Sequence, residues 1–200
     1  MGGDTPDTVD LLGGALCLDF ANSVDWSAAG RAVKDEVLRE PADLSRWGAR
    51  LGLGAGAKGA VDDGEMAAAL DLRSALHLVF AAVAHGELPA DADLATIAAA
   101  HAQGAAAGGL APGPAGAWGL DWPAAEPRRV RFAVAADAVA LLGDGARLDR
   151  VRHCPGHDCG WLFLDTSGRR RWCSMATCGS RAKMRRLYER RRGEGAAAGA

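Results

Sequence analysis

Between Asp62 and His85 the apolar residues Leu72, Leu76, Val79, Phe80 and Val83 recur at helical spacing, and Gly86 and Pro89 follow as stop signals. That pattern puts them on one helix face and predicts the longest helix of the chain. Pro41 stands at a first-turn position, and Leu44, Trp47 and Leu51 after it predict a short amphipathic helix ended by Gly52 and Gly54. A weaker helical pattern runs from Asp91 to Gln103 through Leu94, Ile97 and Ala98. From Arg128 to Leu142, Val130, Val134, Ala138 and Leu141 share a face, which reads as helix with strand as the alternative, and Gly143-Asp144-Gly145 breaks it.

Two segments depart from helical spacing. Ala15-Leu16-Cys17-Leu18-Asp19-Phe20, after Gly13-Gly14, is a β-compatible run with imperfect alternation that ends at the turn signal Asn22-Ser23. Residues 104–117 dissolve into Ala, Gly and Pro, which predicts a flexible loop or linker. The expectation is an α+β fold. A mostly helical N-terminal domain with a short β element spans residues 1–146, a small module spans 147–192, and residues 193–200 form a disordered tail.

The small module carries the chemistry. Cys154-x4-Cys159 and Cys173-x4-Cys178 are two equally spaced pairs, each close enough to bracket one ion. Four thiolates at that spacing suit a single tetrahedral zinc, closed to water and therefore structural. Two disulfides, unrelated thiols or an iron–sulfur cluster are the alternatives, and a reducing compartment disfavours the first. His153 and His157 flank the first pair as bystanders, and Cys17 stands alone far upstream. Between the pairs, Trp161 to Leu164 reads as a strand, Asp165 to Gly168 as a turn, and Arg169 to Trp172 as a return strand. Ser174 then caps a helix whose first turn holds Cys178 and whose stripe of Met184, Leu187 and Tyr188 packs on that hairpin. Knuckle, hairpin and helix together describe a treble-clef-like module that needs its ion to fold.

Charge sharpens the division. The whole chain has net charge −2, but residues 1–146 hold 10 Lys/Arg against 20 Asp/Glu, and residues 147–192 hold 13 against 4. A compact basic surface attracts polyanions, which makes DNA the expected partner of Arg169, Arg170, Arg171, Arg181, Lys183, Arg185, Arg186 and Arg190. The bland alternative is a solvated helix face in an Arg-rich chain, since Arg outnumbers Lys 20 to 3. An acidic protein surface, including this chain's own N-terminal part, is another.

From Cys159-Gly-Trp-Leu-Phe-Leu-Asp-Thr-Ser through Arg-Arg-Trp-Cys173-Ser-Met-Ala-Thr-Cys178-Gly-Ser-Arg181-Ala-Lys, the sequence closely resembles the CGNR zinc finger family. Leu18-Asp19-Phe20-Ala-Asn22-Ser-Val-Asp25-Trp26 resembles the opening of the ABATE domain, which precedes that finger in bacterial regulators of transcription linked to stress. The resemblance implies one zinc on the four cysteines and a DNA partner. The naming motif falls on Cys178-Gly179-Ser180-Arg181, with Ser180 in place of its Asn. Asp19 and Asn22 match the ABATE opening, as turn or cap residues first and ligand residues second. With Arg73, His77 and His101 they are candidates for a pocket that takes a small-molecule effector.

No stretch approaches the ~20 apolar residues of a membrane span, and the run near Leu11 lacks a signal peptide's basic start, so a cytoplasmic protein without a membrane partner is expected. No nucleophile elbow, phosphate-binding glycine loop or His/carboxylate ligand pairing is present, so no enzymatic activity is expected. The expected function is transcriptional regulation through an Arg-rich helix positioned by zinc, with a zinc-dependent protein-interaction or RNA-binding adaptor as the alternative.

Overall fold

The computed structural model describes residues 4–27, 33–54, 61–113 and 116–197, with side chains described up to Arg190. The elements in order are α1 (Leu16–Ala21), β1 (Val24–Trp26), β2 (Val33–Glu36), α2 (Pro41–Arg50), α3 (Asp63–His85), α4 (Asp91–Ala107), β3 (Gly109–Pro112), β4 (Trp118–Asp121), α5 (Arg129–Gly143), α6 (Gly145–Leu148), β5 (Val151–His153) and β6 (Leu162–Leu164). A π-helical turn (Met175–Gly179) leads into α7 (Ser180–Ala197). The fold is α+β, with helices around one core and three separate two-stranded antiparallel hairpins.

The central helix α3 begins at Asp62, whose side chain accepts a hydrogen bond from the Glu65 backbone, and ends at Gly86 in the left-handed conformation with φ 73°. Those are the N-cap and C-cap devices expected of its sequence. By length and composition this helix is apolar enough to cross a membrane, contrary to the expectation that no such segment exists. Its place is the protein core: Leu72, Leu76, Val79 and Phe80 are fully buried, beside the polar Arg73 and His77. It packs against α1, α4 and the β5–β6 hairpin, while α4 and α1 also pack on α5. Helix α2 starts as predicted at Pro41, with a reciprocal capping box between Glu40 and Asp43 and with Leu44 and Trp47 buried.

Two expectations are corrected here. The β-compatible run at residues 15–20 is helical, because Cys17, Leu18, Phe20 and Ala21 are all buried and only a helix turns such a cluster toward the helices around it. Its unpaired first-turn N–H of Cys17 is satisfied by Asp137 on α5 at 2.8 Å. In the segment 104–117, expected to be a flexible loop or linker, residues 104–107 are helical and Gly109–Pro112 form a strand, while 114–115 lie outside the described residues. Helix α4 continues to Ala107, and Gly104 packs against the Phe132 ring while its carbonyl accepts the Trp122 indole N–H at 2.8 Å. The chain then forms the β3–β4 hairpin, with Leu110 opposite Leu120.

The hairpin just beyond the boundary expected near residue 146 packs into the helical core. Val151, Leu162 and Leu164 of the β5–β6 hairpin are buried in the same cluster as Phe20, Leu72 and Leu141. A second, smaller cluster holds Phe163 with the cysteines, so the hairpin faces the helical core on one side and the thiols on the other.

Candidate metal centre and basic helix

Cys154 follows β5, and the loop from Cys154 to Gly160 returns the chain into β6, where Val151 pairs with Leu164 and His153 with Leu162. The first ligand pair therefore lies in the bend of a hairpin, closed by the Cys154 N–H bonding to the Trp161 carbonyl at 2.9 Å. The expected hairpin of β6 with residues 169–172 is not formed. Asp165 takes the place of that return strand: its carboxylate accepts the backbone N–H of Arg169 and Arg170 and the Ser167 hydroxyl, turning the chain in a loop. Those hydrogen bonds to the anion hold the Asp165 carboxyl below the usual carboxylate range although desolvation opposes them.

The loop delivers Cys173, and Ser174 caps the π-helical turn by accepting the Thr177 N–H at 3.3 Å. Cys178 lies in that turn, as expected of a ligand at a helix start. Ser180, standing where the family motif has Asn, donates its hydroxyl to the Met175 carbonyl at 3.0 Å and so closes the same turn.

The four sulfurs lie within 4.8 Å of one another. Cys173 is 3.6 Å from Cys178 and 3.8 Å from Cys159, sulfur to sulfur. Bonds of about 2.3 Å to a central zinc require a tetrahedral edge of about 3.8 Å, so the donors already stand at coordination distance. The Cys173 N–H also points at the Cys154 sulfur, at 3.4 Å. A side chain at Gly156 would put its Cβ 2.8 Å from the Cys178 sulfur, which means the knuckle closes this tightly only with glycine. Thiols so close cannot all ionise unaided. Hydrogen bonds from Cys159 and Cys173 hold Cys154 at about 2, and the same contact with Cys154 raises Cys159 to about 12 and Cys173 higher still. A divalent cation removes that conflict by taking all four as thiolates. Cys154, Cys159, Cys173 and Cys178 form the ligand set of one structural zinc.

The body grips this centre through Gly13, the N-terminal motif residues Asn22, Val24 and Trp26, and His77 of α3. Asn22, fully buried, donates to the Leu162 carbonyl at 2.8 Å and accepts the Leu162 N–H at 2.9 Å, so its amide pairs with β6 as a neighbouring strand would. The His77 ring bonds through Nε2 to the Gly160 carbonyl at 2.7 Å, which places the proton on that nitrogen, and stacks on Trp26 at 4.2 Å. Burial pushes the His77 pKa down to about 4, leaving the ring neutral. Gly160 has no room for a side chain: its Cβ would lie 2.5 Å from that of Trp26. Trp161 donates to the Val24 carbonyl at 3.2 Å, and the Leu164 N–H to that of Gly13 at 2.7 Å.

Asp19 accepts the Gly13 N–H at 2.7 Å, and burial raises its pKa to about 6. Arg73 bonds Glu36 through two nitrogens and the Ser23 carbonyl through one. Asp19, Asn22 and Arg73 thus each make polar contacts within the protein. The contacts of Asn22, His77 and Gly160 across the expected domain boundary escaped sequence reasoning, although Asn22 stood in the motif that carried the resemblance.

The basic residues divide. Arg170 is part of the centre's support: its guanidinium donates to the carbonyls of Leu12, Trp172 and Cys173 at 2.5–3.2 Å and lies 4.5 Å from the Phe163 ring centre. Expected on the nucleic-acid surface, Arg170 is half-buried and makes these contacts within the protein. Arg169 and Arg171 are exposed on the loop before the third ligand, and Arg181, Lys183, Arg185, Arg186 and Arg190 are exposed along α7. Helix α7 packs chiefly on its own leading turn. The stripe expected to dock on the hairpin is instead open, with Met184 46% and Tyr188 58% exposed. The helix also continues past Arg192 to Ala197, into the segment expected to be a tail, of which residues 198–200 lie outside the described residues.

Two family models match these two regions. The ABATE model, described as "Putative stress-induced transcription regulator", matches residues 14–145. The chain belongs to the ABATE family. The CGNR zinc finger model matches residues 150–191 and covers the whole ligand set. None of the curated proteins compared with the chain matches it. In this ABATE protein the β5–β6 hairpin of the finger is buried in the core of the family domain, and Asn22 of the opening motif and His77 of α3 are among the residues that join them.

Proposed function

We propose that this ABATE protein is a cytoplasmic DNA-binding regulator and not an enzyme, and that α7 carries the binding. The reading rests on one observation: Lys183, Arg186 and Arg190 share an exposed face of a helix whose start is fixed by Cys178 in the adjoining turn and by Cys173 just before it. A metal-anchored helix start limits the freedom of the cations beyond it, which reduces the ordering cost of phosphate contacts. Arg181 stands in the first turn of α7, where a side chain of a groove-bound helix reaches base edges. A closed four-thiolate site leaves zinc no open position for substrate, consistent with a binding role. Four reduced thiols also suit a reducing compartment.

The test is fluorescence anisotropy of labelled duplex DNA at several salt concentrations. Affinity is expected to fall steeply with salt, and replacing Arg185 and Arg186 by Ala should weaken it on the order of tenfold and lower the salt slope by about 1–2. Salt-insensitive binding, or none at low salt by the zinc-loaded protein, contradicts the reading.

A further inference from the structure

Two uncovered features of the chain complement each other. The first is the face of α7 formed by Met184, Leu187 and Tyr188, flanked by Arg181 and Arg185 and turned away from Lys183, Arg186 and Arg190. The second is a groove of about 470 Å³ that opens onto the zinc ligands Cys159, Cys173 and Cys178 and is walled by Asp4, Asp10, Asp25, Asp35 and Asp158. Its apolar lining is Leu12, Val37 and Trp161, and Lys34 and Arg181 are its cations. Lys34 bridges Asp25 and Asp158, both at 3.3 Å, and Arg39 pairs with Asp35. Asp4 and Asp10 are exposed, with no hydrogen bond or ion pair among the described residues.

An acidic groove with an apolar lining is the mould of a basic amphipathic helix. We infer that the Met184–Tyr188 face of α7 seats in this groove on a second copy of the chain. Its own helix cannot reach it: Thr177 and Arg181 stand on the groove's rim, and α7 runs on from there as a continuous helix. Two α7 helices pairing with each other would set five described cations per helix against five, with Glu189 as each helix's only described acid. Each copy offers both helix and groove, so a two-fold arrangement satisfies both at once and closes at a dimer. The Lys183, Arg186 and Arg190 face stays open, and the dimer presents two such faces as one unit. The inference does not depend on DNA being the ligand of that face.

The experiment is sedimentation equilibrium of the zinc-loaded full chain, without DNA, at low and high salt. A dimer at low salt that dissociates as salt rises is expected. Asp4→Lys with Asp10→Lys should weaken it on the order of tenfold, and Arg185→Glu added to that pair should restore part of the loss. Met184→Ser with Tyr188→Ser, both at exposed positions, should abolish it while the zinc content stays unchanged. A monomer at all concentrations at low salt overturns the inference, as does a dimer indifferent to the groove substitutions. Because the groove aspartates lie off the Lys183, Arg186 and Arg190 face, loss of the dimer with DNA binding retained, or the reverse, tells the two readings apart.

Discussion

Replacing Asn22 by Ala removes the amide that pairs with both backbone groups of Leu162. Asn22 and Leu162 are fully buried, so water cannot take over either bond. An unsatisfied buried donor or acceptor costs about 1–3 kcal/mol, and two are left behind, so a loss of about 2–6 kcal/mol is expected. In a chain of this size each kcal/mol lowers Tm by about 2–4 °C, which puts the expected drop at roughly 4–24 °C. Leu162 lies on β6, whose partner β5 ends just before Cys154, so the zinc should also be released at lower chelator concentration. Asn22→Asp is expected to fare no better, because it lacks the N–H that Leu162 requires and would bury a charge. Thermal denaturation followed by far-UV circular dichroism, with a zinc-sensitive dye in parallel, measures both effects. A loss below about 0.5 kcal/mol, the range of ordinary surface substitutions, would refute the strand-mimicking role of Asn22.

Adjacent arginines should behave oppositely. Arg170→Ala removes donors to three carbonyls and is expected to destabilise by about 2–3 kcal/mol in urea denaturation, whereas Arg171→Ala should stay within about 0.5 kcal/mol and affect only DNA affinity. Asp19 has a folded pKa of about 6 against an unfolded value near 3.8, raised first by burial. Its stabilising contribution is therefore present below about pH 4 and is lost as pH rises through about 6. Asp19→Asn keeps an oxygen for the Gly13 N–H, so it should gain about 1–3 kcal/mol at pH 7 and nothing at pH 4, measured as urea midpoints at both. A variant weaker than the native chain at pH 7 contradicts that assignment.

Much of this was legible in the chain. The long helix follows from the spacing of its apolar residues and its end from the stop signal Gly86, and the four ligands follow from two matched cysteine pairs. Local signals failed where tertiary contacts decided. Residues 15–20 read as β-compatible despite imperfect alternation, yet the neighbouring helices favour burial of Cys17, Leu18, Phe20 and Ala21 as a helix turn. Residues 104–107 look like linker until Trp122 and Phe132, distant in sequence, close over Gly104. Arg170 sits in a run of three arginines and only its contacts separate it from Arg169 and Arg171. The pairing of Asn22 with Leu162 spans 140 residues, a distance over which no local pattern reports. It makes the finger part of the helical body, where composition and charge had suggested two modules.

The central claim is that zinc on four thiolates ties the start of α7 to that body. Elemental analysis of the purified chain tests it most directly. The expected result is about one zinc per chain, lost together with the native fold of residues 150–191 in Cys173→Ser. A chain that is fully folded with no bound metal would contradict it.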